Sequence, residues 1–394
     1  MRLKRIDPFE SPEAASVSNR SLRDLAILFI RLGATAFGGP AAHIAMMEDE
    51  VVRRRGWLDR ATFLDFLGAT NLIPGPNSTE MAIHIGHRRA GWKGLVVAGV
   101  CFIVPAMLIT LAVSYLYVRF GAMPSAQGIL YGVKPVIIAV VVQALWRLGR
   151  AAVRDRFLVV LAIVSTIVSA VGVNELVVLF AAGAIAAASV YIRERHAGAF
   201  GAVATRGSLL FAIGATSSAA VPFSLSVLFL FFLKVGAVLF GSGYVLLAFL
   251  QADLVDRLHW LTPSQLLDAI AVGQITPGPV FCTATFIGYL LGGAVGALVA
   301  TAGIFLPAFV FVAMSAAIIP RLRRSRIAGG FLDGVNVGSL ALMAVVTWEL
   351  GRSALVDVPT IVLGVASAAA LLTFGINSIW LVIAGALLGL VLAH

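Results

Sequence analysis

The chain carries one pattern twice. Phe29-Ile30-Arg31-Leu32-Gly33-Ala34-Thr35-Ala36-Phe37-Gly38 returns as Phe232-Leu233-Lys234-Val235-Gly236-Ala237-Val238-Leu239-Phe240-Gly241. A shift of 203 residues keeps register through Trp57-Leu58 with Trp260-Leu261, Asp65 with Asp268, and Pro74-Gly75-Pro76 with Pro277-Gly278-Pro279. After a one-residue deletion the match resumes, with Pro105 against Pro307, Gly132-Val133 against Gly334-Val335, and Trp146 through Arg150 against Trp348 through Arg352. Long repeats in an apolar chain are the pattern of membrane transporters built from two structural halves, with the site at their junction.

A chain that is 60% hydrophobic and 12% charged cannot be covered by a water-facing surface, so it reads as a polytopic membrane protein with the lipid bilayer as a partner. Residues 1–24 are polar and lack an apolar core, so they read as a cytoplasmic tail and not as a signal peptide. Cys101 and Cys282 lie in apolar segments and give no disulfide or metal framework; no cofactor is expected. The +10 net charge sits in short loops between apolar runs, where membrane orientation accounts for it and nucleic acid is not needed.

The expected fold class is all-α, with a tail over 1–24, a first repeat over 25–192, a linker with a crossing helix over 193–225, and a second repeat over 226–394. Apolar spans run over 94–118, 130–147, 157–172 and 175–192, then 293–319, 330–350, 356–373 and 376–393. Each half starts differently. Residues 61–73 and 77–89 flank Pro74-Gly75-Pro76, and each run covers about 20 Å, short of the hydrocarbon core. No helix passes undisturbed through Pro-Gly-Pro, so residues 61–89 and 264–290 read as hairpins or broken helices. Gly38-Gly39-Pro40 and Gly241-Ser242-Gly243 interrupt the preceding segments in the same way.

If the first half's broken elements are re-entrant, Arg53-Arg54-Arg55, Arg88-Arg89, Lys93, Arg147 through Arg156 and Arg193 through Arg206 share one face, cytoplasmic by the positive-inside rule. The second half has its basic cluster, Arg321 through Arg326, in a different loop, so the halves are expected to be inverted, with residues 208–225 crossing between them.

The string Phe37-Gly38-Gly39-Pro40-Ala41-Ala42-His43, the stretch Glu48 to Arg55, Trp57-Leu58, and Pro-Gly-Pro followed by Ile85-Gly86 make the chain, from about residue 22, similar to the chromate ion transporter family in its long two-domain form. The resemblance implies a bacterial inner-membrane protein that exports chromate, a tetrahedral dianion, using the proton gradient. The two half-sites differ, since Asn77-Ser78-Thr79-Glu80 faces Val280-Phe281-Cys282-Thr283. Sulfate or another small oxyanion or organic anion is the alternative cargo, and an anion channel the alternative mechanism.

Moving a dianion through hydrocarbon requires fixed donors and compensating charge. Interrupted helices supply N–H groups and the positive end of the helix dipole at mid-depth. Gly38, Gly39, Gly75, Gly241 and Gly278 are therefore substrate-site candidates, with Asn77, Ser78 and Thr79 as side-chain donors, or simple helix caps, and Thr276 and Thr283 as their second-half counterparts. Arg31 and Lys234 occupy equivalent positions in apolar stretches and are candidates for attracting the anion, or for holding a carboxylate such as Asp65 or Asp268. Glu80 stands about one turn past the break, either as proton carrier or as a capping-box glutamate to Asn77; His43 and His84 are weaker proton-coupling candidates. Asp59 and Thr262-Pro263 read as helix starts, Trp57 and Trp260 as interfacial anchors. Gly288, Gly292 and Gly296, like Gly330, Gly334 and Gly338, read as one close-packing face of a helix. Lys134 and Glu349 have no counterpart in the repeat. No enzyme motif appears, and a second copy of the chain, as homodimer, completes the expected partners.

Overall fold

The computed structural model describes residues 12–37, 39–198, 222–240, 245–374, 376 and 378–392. The expected crossing helix over 208–225 therefore lies almost wholly outside the described residues. Those described are helical, with no strand. The first half comprises α1 (Pro12–Thr35), α2 (Gly39–Glu48) running into a π-helical turn at Asp49–Arg54, α3 (Arg60–Thr70), α4 (Asn77–Phe120), α5 (Pro124–Ala152), α6 (Arg156–Ala170) and α7 (Glu175–Gly198). The second comprises α8 (Leu225–Val238), α9 (Leu246–Leu250) with a π-helical Gln251–Arg257, α10 (Pro263–Ile275), α11 (Thr283–Arg324), α12 (Arg326–Ala354), α13 (Val358–Ala369) with Ala370–Phe374, and α14 (Ser378–Leu392). Helix α1 starts well inside the stretch expected as tail.

Among the described residues, five helical segments are long and apolar enough to cross a membrane: Asn77–Phe120, Pro124–Ala152, Glu175–Glu194, Val280–Ser315 and Arg326–Ala354. The outer faces of α6, α13 and α14 expose Val160, Ile163, Ile167, Val362, Val365, Leu387 and Val391, as suits helices bathed in lipid. The chain is a multi-pass, all-helical membrane protein of two homologous halves.

The breaks are hairpin tips. Trp57, ahead of α3, takes the guanidinium groups of Arg55 and Arg89 over its ring, each 5.0 Å from the ring centre, and Phe66 stacks on His84 at 5.2 Å. The arms before and after Pro74-Gly75-Pro76 therefore run antiparallel, and both end where Trp57 and Arg89 meet. Asp59 starts the first arm by accepting the Thr62 N–H at 2.8 Å, and Thr262 and Gln265 form a capping box at the equivalent start of α10.

A second reversal follows inside α4, where Ala90 and Gly91 leave helical geometry, as Gly292 and Gly293 do inside α11. A Cβ on Gly86 would stand 2.2 Å from the carbonyl oxygen of Gly94, and one on Gly288 would stand 2.3 Å from that of Gly296. This corrects the reading of Gly288, Gly292 and Gly296 as one helix face. Gly292 belongs to the bend, and the other two face each other across it. Gly330, Gly334 and Gly338 do form one face, packed on Ala182, Ala186 and Val190 of α7.

The halves interlock. Gly132 and Gly128 of α5 pack on Gly385 and Gly389 of α14, while Gly334 of α12 packs on Ala182 and Ala186 of α7. Each half thus clasps the last helices of the other. Between the equivalent helices α5 and α12, Gly149 lies by Leu340 and Gly351 by Ile138, so the two run antiparallel. A pseudo-twofold axis that reverses equivalent helices relates the halves.

Candidate functional site

The tips of the two halves are stitched together by reciprocal backbone bonds. Gly75 N–H donates to Leu239 O, and Gly278 N–H donates to Ala36 O, both at 2.8 Å. Leu239 and Ala36 are the residues at which α8 and α1 have just ended, so a Pro-Gly-Pro tip of each half closes on the other half's first break. Gly75 has φ +136° and Gly278 φ +86°, conformations that a side chain resists. A Cβ on Gly278 would stand 2.9 Å from Gly33 O and 2.5 Å from Ala106 Cβ. Gly39 opens α2 at φ +76°. Gly38 and Gly241 lie outside the described residues.

Chemistry at the two tips differs. Pro76 is the residue before α4, and Asn77 turns away to donate to Asn71 Oδ1 at 2.9 Å. The capping box between Asn77 and Glu80 is therefore not formed. Ser78, Thr79 and Glu80 are buried, and among the described residues Thr79 Oγ1 and both Glu80 carboxyl oxygens have no hydrogen-bond partner. Glu80 Oε1 lies against the backbone of Gly75, where a Cβ would stand 2.3 Å from it. At the second tip a 3₁₀ turn over Val280–Cys282 precedes α11, and Thr283 closes on itself by donating to Val280 O at 2.8 Å. Thr276 donates to Val272 O at 2.8 Å and meets the Thr110 hydroxyl at 3.4 Å. Among the described residues, the first half's tip thus carries orphaned polar side-chain atoms where the second tip carries none.

His43 binds the junction together. Its Nε2 lies 3.1 Å from Ala36 O, the same oxygen that takes the Gly278 N–H, and its ring meets Phe102 edge-on. His84 is buried on Phe66, and among the described residues its Nε2 has no hydrogen-bond partner.

Arg31 and Lys234 are ion-paired, and with partners other than Asp65 and Asp268. Arg31 lies 2.6 Å from Glu50, which also receives Arg54 and Arg55 at 3.2 Å each. Lys234 pairs with Asp253, which Arg257 reaches at 2.6 Å. Glu50 and Asp253 occupy equivalent positions of the repeat, as do Arg54 and Arg257, so one cation–acid–cation cluster has been duplicated. Each cluster ties the arm before a break to the arm after it and retains an excess of positive charge. The 203-residue register already aligned Glu50 with Asp253; that signal could have found the pairing. Among the described residues no group of His, Cys, Asp and Glu side chains is arranged to hold a metal.

A model of the family described as chromate transporter matches residues 23–188 and again 226–390. A chromate transport protein of Cupriavidus metallidurans is 35% identical over 378 residues, covering 94% of this chain and 93% of the relative. One from Pseudomonas aeruginosa is 33% identical over 355 residues, covering 88% and 85%. An uncharacterized transporter of Bacillus subtilis matches 113 residues at 33% identity, which is 29% of this chain and 64% of that shorter relative. No solved structure matches the chain. On the strength of both repeats and of relatives matched over nearly their whole length, the chain belongs to the chromate transporter family.

Proposed function

We propose that this chain is a secondary active transporter that exports chromate across a bacterial inner membrane, driven by the proton gradient. The observation that carries the reading is the meeting of the Pro-Gly-Pro tips with the opposing breaks, with unpartnered Thr79 and Glu80 at the start of α4. The N-terminus of α4 directs N–H groups and the positive end of its dipole into the junction, where a tetrahedral dianion exchanges its hydration for fixed donors. Ser78 and Thr79 bring short polar side chains to that point, Thr276 and Thr283 stand at the opposing tip, Asn77 reaches the anion only by leaving Asn71, and Gly39, Gly75 and Gly278 let backbone approach. The clusters around Glu50 and Asp253 supply the positive potential that draws the anion in, Arg31 and Lys234 being their membrane-side members. Glu80 carries the coupling proton, since among the described residues no donor or cation holds its carboxyl and it borders the anion's place. His43 and His84 stand next to that route.

The face where the Arg55–Trp57–Arg89 stack lies is cytoplasmic on this reading, because most basic residues fall there. Reconstitution tests the whole: purified protein in liposomes should accumulate labelled chromate against its concentration when a pH gradient is imposed, with sulfate as competitor. Chromate flux no greater than in protein-free liposomes overturns it.

A further inference from the structure

Beyond the junction, a cavity of about 400 Å³ opens where α4 ends and α5 and α10 begin. Tyr117, Gln127, Tyr131, Lys134, Ser264 and Asp268 line it. Lys134 is the feature that asks for explanation. It lies 3.1 Å from Asp268 Oδ1 and donates to Ser264 Oγ at 2.6 Å, while Tyr117 donates to Asp268 Oδ2 at 2.7 Å. Its side chain is 18% exposed and that of Asp268 is 4% exposed. A cation within an apolar bundle is costly, and the fold itself does not require it, because the equivalent residue of the other half is Asn336.

The cavity is joined to the junction by one face of α4. Ala106 touches Gly278 of the tip, Thr110 meets Thr276, the Ser114 hydroxyl donates to Thr110 O at 2.7 Å, and Tyr117 reaches Asp268. Successive steps of three or four residues keep these groups on one side of the helix. The equivalent positions on α11 are Ala308, Val312, Ala316 and Ile319, and the counterpart of Thr276 is Ile73, which packs with Ala308 and Val312 in an apolar cluster. The polar contact of Thr110 with Thr276 thus has the apolar cluster of Ile73, Ala308 and Val312 as its counterpart in the other half.

We propose that this cavity is the docking site through which a small divalent oxyanion passes between the junction and the face where α4 ends, with Lys134 as the group that meets it. The inference rests on the transport function proposed above. Asp268 acts as the internal anion: it holds Lys134 until the oxyanion takes its place, and the hydroxyls of Ser264 and Tyr117 offer the further donors that such an ion needs, whereas Tyr131 donates its hydroxyl to Asp357 Oδ2 at 2.6 Å. Thr110 and Ser114 then lead inward to Thr276. The positive charge, which Arg and Lys share, is what the oxyanion meets at this position.

The test exploits sidedness. In membrane vesicles of both orientations, Lys134→Gln should raise the chromate concentration for half-maximal transport about tenfold when chromate is supplied at the α4-end face, and less than about twofold at the other. Lys134→Arg should stay close to the parent. Equal change at both faces, or none at either, overturns the proposal while leaving chromate transport itself standing. A Gln127→Cys variant lacking Cys101 and Cys282 gives a second reading where Lys134→Gln fails to insert. Chromate should protect that cysteine from an impermeant anionic thiol reagent added at the α4-end face, and absence of protection overturns the proposal. Parent vesicles that move no chromate sink the transport reading separately.

Discussion

The backbone N–H of Gly278 donates to the carbonyl oxygen of Ala36 across 2.8 Å, and one repeat away in both residues Gly75 donates to Leu239 across the same distance. Ala36 and Leu239 each end a helix, so their carbonyls are among those that a helix C-terminus leaves without an intrahelical partner. Each half therefore satisfies the other's broken backbone at the depth where water cannot. The junction is built from main chain, and among the described residues the side chains of Glu80 and Thr79 have no partner there.

That main-chain construction makes Gly278 intolerant. An alanine at φ +86° costs about 1–2 kcal/mol from backbone strain alone, and its Cβ would stand 2.5 Å from that of Ala106. Gly278→Ala should lower the thermal unfolding temperature of the detergent-solubilised protein by several degrees. Adding Ala106→Gly should return part of the loss. No recovery in the double variant would show that strain, and not contact with α4, dominates.

The duplicated charge clusters predict a ranking. Glu50 is buried and shared among Arg31, Arg54 and Arg55, whereas Asp49 is more exposed and pairs with Arg54 at 2.8 Å. Glu50→Gln should destabilise by about 1–2 kcal/mol and Asp49→Asn by less than about 0.5 kcal/mol, read by denaturant unfolding. Arg31→Ala should cost less in the Glu50→Gln background than alone, the signature of a direct pair. Additive losses would mean that Arg31 acts elsewhere. In vesicles, Arg31→Ala and Lys234→Ala should slow anion transport more than Arg88→Ala, which lies at the wet base of the hairpin.

Much of this was legible because the sequence writes it twice. The repeat aligned the breaks, Pro-Gly-Pro ruled out continuous helices, and Asp59 and Thr262 marked helix starts that the structure reproduces. The partners of the charges were not legible. Arg31 meets Glu50 only because the π-helical turn at Asp49–Arg54 comes back onto α1, and a linear reading offers Asp65 equally well. Lys134 has no counterpart in the repeat, and its partner Asp268 belongs to the other half, so the repeat alone does not pair them. The clasp of α5 by α14 and of α12 by α7 could not be read either, since glycine faces announce close packing without naming the neighbour.

The antiparallel run of α5 and α12 has a topological consequence. Ser264 opens α10 beside Lys134, and Ser325 caps α12 at its start, near the end of α7, where Arg326 reaches Glu194 at 3.8 Å. Single cysteines at Ser264 and Ser325, in a variant without Cys101 and Cys282, should react with an impermeant thiol reagent from opposite faces of the membrane. Labelling of both from one face would contradict an inverted arrangement of the halves.

Coupling makes the sharpest demand on one side chain. Glu80 sits in the first turn of α4, is fully buried, and accepts no hydrogen bond through either oxygen among the described residues. A capping role, which an amide would fill almost as well, is removed by geometry, because Pro76 precedes the helix and Asn77 bonds to Asn71. Glu80→Gln keeps the shape of the side chain and abolishes ionisation. If Glu80 carries the proton, the variant should still exchange labelled chromate for unlabelled chromate down its gradient, while an imposed pH gradient no longer concentrates it. Comparing counterflow with proton-driven accumulation in the same liposomes separates binding from coupling. Intact accumulation in the Gln variant would remove Glu80 from the mechanism and leave His84, buried one helical turn further along α4, as the next group to replace.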